Sequence, residues 1–325
     1  MSRKDKLWKN LPQVPVIREH RNEFFQFMFE RHMIWYRRFK LKKPPPWTTD
    51  KILRDYKFTN VYRELDRGTI WYMEHVVPAA NSQLDLLWLT IMYRLLNRVE
   101  TFEQTGWVNY SEWGKCRQAW FRELKILHEK ESVFTSAHLT LPVGIGHQGM
   151  SKLDKYRQVL EYTHQNLKHI YGKLRKATQL KVVWDLLREI PCVGPFIAYE
   201  VCCDLILTET IPFTENDWAN PGPGCKKGLR IIFPMLRSDK EFLDKMKHLQ
   251  KTQQVYFMRL GLDFPYLYKN TPLTLRSIEH SLCEFQKYWQ AKRGVGKHRM
   301  LFRPRDWPTY RADHRAIQMP LRFPR

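Results

Sequence analysis

The chain is short of acid. Its 325 residues hold 33 Asp and Glu against 55 Lys and Arg, a formal charge of +22, and the isoelectric point is about 9.8. A soluble protein this basic ordinarily meets a polyanion, and nucleic acid is the first candidate. The six cysteines, Cys116, Cys192, Cys202, Cys203, Cys225 and Cys283, form no CxxC pair and stand at no His/Cys spacing typical of zinc. The sequence therefore gives no reason to expect a metal, and its thiols suit a reducing compartment. The longest apolar run, Leu84 to Met92, is too short to span a bilayer. Met1 to Asn10 lacks the apolar segment of a secretory signal. No strand alternation is sustained, no repeat recurs, and no glycine pattern matches a P-loop or a dinucleotide fingerprint. These absences predict a soluble, intracellular, all-α protein with no cofactor. With 43% hydrophobic and 14% aromatic residues it has the means to bury a sizeable core.

What is present is helical spacing. Glu23 to Lys40 reads as an aromatic, basic helix stopped by Pro44-Pro45-Pro46. Thr49 or Asp50 is placed to cap a helix from Lys51. In Phe58-Thr59-Asn60-Val61-Tyr62-Arg63-Glu64-Leu65-Asp66-Arg67, Arg63, Asp66 and Arg67 are three or four apart. On a helix they share a face, either as a grip on a phosphate or as a solvated ion-pair network. Further helices are predicted over Leu84 to Val99, Trp113 to Glu129, Leu153 to Tyr171, Leu180 to Ile190, Lys240 to Leu260 and Leu273 to Trp289. Phe134 to Met150 is a glycine-containing connection, and its His138 and His147 read as structural. In domain terms this gives a basic lead-in (1–22), a single helical domain (23–290) and a basic tail rich in Gly and Pro (291–325), suited to a phosphate backbone.

Two stretches stand out. Pro191-Cys192-Val193-Gly194-Pro195 is a tight turn between two apolar helices. Gly194 tolerates backbone angles closed to other residues, and Pro195 suits the first position of the second helix. The turn offers free N–H groups to a phosphate. It resembles the helix-hairpin-helix of the DNA glycosylase fold, Leu-Pro-Gly-Val-Gly, with Cys192 in place of the first glycine. The second stretch is the loop Pro212 to Gly228, which contains Asp217, Pro221-Gly222-Pro223-Gly224, Lys226 and Lys227. Such a loop can bring N–H groups and ammonium charge to a phosphate, or serve as an ordinary surface turn.

Taken together with Ile278-Glu-His-Ser-Leu-Cys-Glu-Phe-Gln-Lys-Tyr288, these blocks resemble the α-glutamyl/putrescinyl thymine pyrophosphorylase-like proteins of DNA base hypermodification. The same helical domain is found attached to 5-hydroxymethyluracil DNA kinases. The resemblance runs from about Phe24 to Arg303. It implies a DNA glycosylase-like fold and an amino-acid or amine transferase. The implied substrate is duplex DNA whose 5-hydroxymethyluracil has been phosphorylated by an upstream kinase. The amine would join the 5-methylene carbon and expel phosphate or pyrophosphate.

That chemistry needs an extruded base, a carboxylate to take the amine's proton and cations for the leaving group. Asp217 is the first choice of base and Asp66 the second. Arg63, Lys226, Lys227 and the Gly222 to Gly224 backbone are candidates for the phosphate, with Asn60 and Arg67 beside them and Gly194 holding DNA. Trp218, Tyr62 and Tyr199 are candidates to stack on the base. Rival expectations are a glycosylase, with Lys173, Lys176 or Lys181 as a possible nucleophile, and a non-catalytic DNA-binding module. The implied location is the infected host's cytoplasm for a viral protein and the nucleus for a eukaryotic one.

Overall fold

A computed structural model describes residues 17–138, 140–141, 149–269, 271–296 and 301–302. In chain order the helices are α1 (Arg18–Trp35), α2 (Lys51–Asp55), α3 (Arg67–Trp71), α4 (Gln83–Leu96), α5 (Val99–Thr105), α6 (Trp113–Lys130), α7 (Lys152–Leu174), α8 (Leu180–Leu187), α9 (Pro195–Leu207), α10 (Pro223–Ile232), α11 (Asp239–Arg259) and α12 (Leu275–Lys292). A single antiparallel bridge, Tyr56 to Leu301, is the extended pairing among the described residues. The fold is all-α, as the periodicity predicts. No helix among the described residues is long and apolar enough to cross a membrane.

Local sequence sets the helix ends. Asp50, rather than Thr49, caps α2 by accepting from the Ile52 and Leu53 N–H groups at 2.8 and 3.0 Å. Ser82, Ser151 and Thr274 cap α4, α7 and α12, and Ser238 with Glu241 forms a capping box on α11. Asn97 ends α4 in the left-handed conformation, which asparagine tolerates better than most residues.

The described residues group into two compact units. One comprises the chain up to Tyr62 together with the segment from Pro221. Its core is aromatic: Phe24, Phe25 and Met28 of α1 are fully buried, as is Phe285 of α12. Here α10 crosses α12 very closely. A Cβ on Gly224 would stand 2.3 Å from Cys283 Sγ, and one on Gly228 would stand 2.2 Å from the Leu282 carbonyl oxygen. Only glycine permits that approach. The loop expected over Pro212 to Gly228 therefore ends early. Pro223 opens α10, and Gly224, Lys226 and Lys227 lie on a helix.

The other unit is Arg63–Asn220. Its centre is α4, with every residue from Leu86 to Leu96 buried, packed on α7 and α9. Trp88, Trp113 and Tyr156 fill the space around it. The expected face of Arg63, Asp66 and Arg67 is not a continuous helix. Arg63–Leu65 is a 3-10 turn, and Asp66, with extended angles, precedes α3. The 3.6-residue spacing did not show that Asp66 breaks the run.

The helix–turn–helix around Pro191 to Pro195 is present as α8, a tight turn and α9. Its backbone differs from expectation. Gly194 has φ −76° and ψ 175°, angles open to any residue, while the positive φ, 62°, falls on Cys192. Of the other expectations, the lead-in up to residue 16, Gly144, Gly146 and His147 of the connection, and the tail at 297–300 and beyond 302 lie outside the described residues. Helix α1 begins at Arg18, within the stretch expected as lead-in.

Candidate functional site

Within the unit Arg63–Asn220, charge is concentrated where apolar helices meet. Arg94 lies in the last turn of α4, and Glu200 and Asp204 lie one turn apart on α9. All three are at least nine-tenths buried. The Arg94 guanidinium grips Asp204 with two parallel bonds, from Nε at 2.5 Å and from Nη2 at 2.6 Å. Its Nη1 stands 3.2 Å from Glu200 Oε2 and donates to Asn97 Oδ1 at 3.2 Å. Glu200 Oε2 also stands 3.6 Å from Arg63 Nη2. Arg63 Nη1 in turn donates to Asp66. One carboxylate thus bridges two guanidinium groups.

The cluster is graded from inside to outside. The Asp204 side chain is closed to solvent and that of Arg94 is 5% exposed, whereas those of Arg63 and Asp66 are 17% and 19% exposed. The inner pair adjoins Glu200, and the outer pair is partly open to solvent. Burial acts to lower the Arg94 pKa. The negative charges of Asp204 and Glu200 outweigh it and raise the value. Tyr72 has its pKa raised by burial and by the Asp204 charge, and its hydroxyl is paired with Thr90 at 2.7 Å.

His138 stands in the field of Glu200, Arg94 and Arg63. Burial depresses its pKa to about 4, with Glu200 opposing. Its Nε2 is buried with no hydrogen-bond partner among the described residues, and its ring meets Phe196 edge-on at 4.7 Å. At neutral pH it is an uncharged imidazole beside ionised groups.

Asp217 joins none of these ion pairs. It is exposed, and its Oδ2 accepts from the Thr214 N–H at 2.6 Å and the Thr214 hydroxyl at 3.1 Å, closing a tight turn. The loop that carries it docks on the α8–α9 turn. Trp218 packs against Trp184 at 5.2 Å and edge-on to Tyr199 at 5.8 Å. The Asn220 amide and the Trp184 indole both donate to the Pro195 carbonyl, at 3.3 and 2.8 Å. The structure therefore brings the Asp217 loop to the Gly194 turn. A Cβ on Gly194 would meet nothing within 4 Å, so neither its angles nor its packing requires a glycine. Arg67 is paired with Glu100 at 2.7 Å.

In the other unit, two of the distinctive sequence blocks meet. The Asn60 carbonyl oxygen lies 2.9 Å from His280 Nε2, and Asn60 Oδ1 accepts from Arg31 Nη2 at 2.9 Å. The Thr59 N–H donates to Glu284 at 3.3 Å. Asn60 is buried and holds these segments together. Tyr62 is buried, and its hydroxyl accepts from the Leu267 N–H at 3.2 Å. Gly222 is the residue before α10, which has no side-chain cap. Lys226 is paired with Asp239 at 2.5 Å. Lys227 is exposed and forms no ion pair among the described residues.

Sequence reasoning singled out none of Arg94, Glu200 and Asp204 as a site residue. The signal was available: an arginine inside the apolar run of α4, and two carboxylates four apart inside the apolar run of α9. Charges in buried helices require partners, so these three implied one another.

Residues 18–297 match the family model described as the helical domain of 5-hmdU DNA kinase. Among characterised proteins, the 5-hmdU DNA kinase of Bacillus phage SP10 is 30% identical over 286 residues, which is 82% of this chain. The chain spans less than half of that relative, 44% of its length. No solved structure matches.

Proposed function

The chain belongs to the 5-hmdU DNA kinase helical-domain family, and from that premise we propose that it acts on DNA carrying modified thymine, joining an amine to the 5-methylene carbon of phosphorylated 5-hydroxymethyluracil. The observation that carries this reading is the pairing of Arg63 with Asp66 at the reachable rim of a buried charge cluster. In one place it offers a cation for a phosphate and a carboxylate for a proton.

The proposed reaction proceeds on a base turned out of the duplex. The neutral amine nitrogen attacks the 5-methylene carbon. The bond from that carbon to the phosphate oxygen breaks, and phosphate or pyrophosphate leaves with the electron pair. The proton shed by the new ammonium passes to a carboxylate. Arg63 would carry the charge developing on the leaving group, held in place by Glu200 and, behind it, the Arg94–Asp204 pair. Asp66 is the base best placed beside that group. Asp217 is the alternative, on the loop docked to the Gly194 turn. Gly194, with open space where a side chain would stand, suits close approach of a backbone phosphate. Lys227 and the start of α10 are further phosphate candidates. An upstream 5-hydroxymethyluracil DNA kinase would supply the substrate, and the proposed setting is phage DNA in an infected cell.

Mass spectrometry of nucleosides tests this reading, after incubation with DNA carrying phosphorylated 5-hydroxymethyluracil and a mixture of amino acids and polyamines. A nucleoside heavier by one amine and lacking phosphate is expected. An abasic site would replace the proposal with a glycosylase, and an unchanged nucleoside pool would refute it. Asp66→Asn should abolish turnover while leaving DNA binding in place. If Asp217→Asn does so instead, the base is Asp217.

A further inference from the structure

The unit that joins the chain up to Tyr62 to the segment from Pro221 contains a cleft of about 510 Å³ lined by Arg18, Arg21, Asn22, Tyr256, Arg259 and Leu260. Three of its six lining side chains are guanidinium groups. None of the three forms an ion pair among the described residues. Arg21 Nε is buried without a hydrogen-bond partner among them, and leaving a buried charged donor unsatisfied is costly.

The helix ends sharpen the point. Arg259 closes the last turn of α11, where a cation is favourable. Arg18 and Arg21 occupy the first turn of α1, where the helix dipole disfavours them. Glu19, the acid of that turn, is exposed and pairs with neither. His248, also on α11, has its pKa lowered by burial and by the charges of Lys245 and Arg21. Folding alone gives no reason to gather cations without an ion-pair partner at this cleft. An anion drawn into the cleft would supply one.

The aromatic residue in the cleft says what kind of anion. Tyr256 is 9% exposed. Phe25 stacks on its ring at 5.0 Å with the planes 17° apart, and the Arg21 guanidinium lies over the ring at 4.2 Å. The faces of the ring are taken, so no base or nucleoside can stack there. That contact places the Arg21 guanidinium at the wall of the cleft.

We propose that this cleft is a second contact to nucleic acid, taking phosphates of the DNA backbone through Arg18, Arg21 and Arg259 without reading the bases. The proposal rests on the DNA substrate of the function proposed above and not on its amine chemistry. A backbone contact of this kind anchors the duplex irrespective of sequence or modification, leaving recognition of the altered base to the residues around Arg63.

Unmodified duplex DNA tests it. Affinity of the full chain is measured by fluorescence anisotropy between about 50 and 200 mM salt. Wild type is compared with the double variant Arg18→Gln/Arg259→Gln, both at exposed positions, and separately with Arg21→Gln. Removing two phosphate contacts should reduce the slope of log affinity against log salt by about 2. The loss in affinity should be equal on duplexes of unrelated sequence, with the melting temperature unchanged. Arg21→Gln should reduce the slope by about 1. An unchanged slope overturns the proposal, as does a loss confined to one sequence, or a wild-type chain that binds no duplex. The first two results leave amine transfer standing. Conversely, a failed transfer assay with the slopes reduced as expected leaves the cleft standing.

Discussion

Asp204→Asn is the sharpest test of the buried cluster. The substitution keeps the size of the side chain and removes its charge. Arg94, 5% exposed at its side chain, then keeps Glu200 at 3.2 Å and the Asn97 amide oxygen, but loses the charge that neutralises it and faces an NH2 donor in place of one of its two acceptor oxygens. Breaking a buried ion pair on one side costs about 3–5 kcal/mol. Glu200 remains, so the expected loss is at the lower end, about 3 kcal/mol. For a chain of 325 residues that is a fall in melting temperature of roughly 4–5 °C. The double variant Asp204→Asn/Arg94→Met removes the stranded cation as well and should recover a large part of the loss, because a well-packed apolar replacement of a buried pair is often neutral. The assay is urea denaturation of wild type, both single variants and the double. An Asp204→Asn variant within about 1 kcal/mol of wild type would refute the argument. So would a double variant less stable than Asp204→Asn alone, since the cost would then lie in packing and not in uncompensated charge.

Gly228→Ala should destabilise the protein by about 1–3 kcal/mol or more, because its Cβ would stand 2.2 Å from the Leu282 carbonyl oxygen; denaturant midpoints measure it. Cys192→Gly should be neutral to stabilising by up to about 1 kcal/mol. It relieves the left-handed backbone at φ 62°, a cost of roughly 1–2 kcal/mol for an L-residue, against the greater unfolded-state freedom of glycine; a lower melting temperature would contradict this. Stability should fall on acidification. Burial depresses the pKa of His138 and of His32 to about 4 from 6.5, so the unfolded chain binds protons that the folded one refuses. The contribution is full above pH 6.5 and is lost as pH falls towards 4, about 2 kcal/mol for each histidine at pH 5. His138→Gln should flatten its share of the slope between pH 7 and 5 in matched urea titrations.

Local signals along the chain specify the helical class, most of the helix positions and the blocks that mark the family. Apolar spacing, capping residues such as Asp50 and Ser82, and the stops at Pro44 to Pro46 are local signals that survive without tertiary context. The sequence also placed Arg63 and Asp66 three apart, and they do pair. What it left undecided depends on contacts distant along the chain. Gly224 and Gly228 read as a flexible loop, yet they are glycines because α12 lies against α10, and nothing within those few residues reports that neighbour. Gly194 was credited with the unusual backbone that Cys192 adopts, since propensity names the residue best suited to a conformation and the turn as a whole decides where it falls. Arg94, Glu200 and Asp204 were present as charges in apolar helices. Which cation answered which carboxylate was settled only when α4 packed on α9, because the penalty for a buried charge forces a pairing and tertiary structure alone selects the partner.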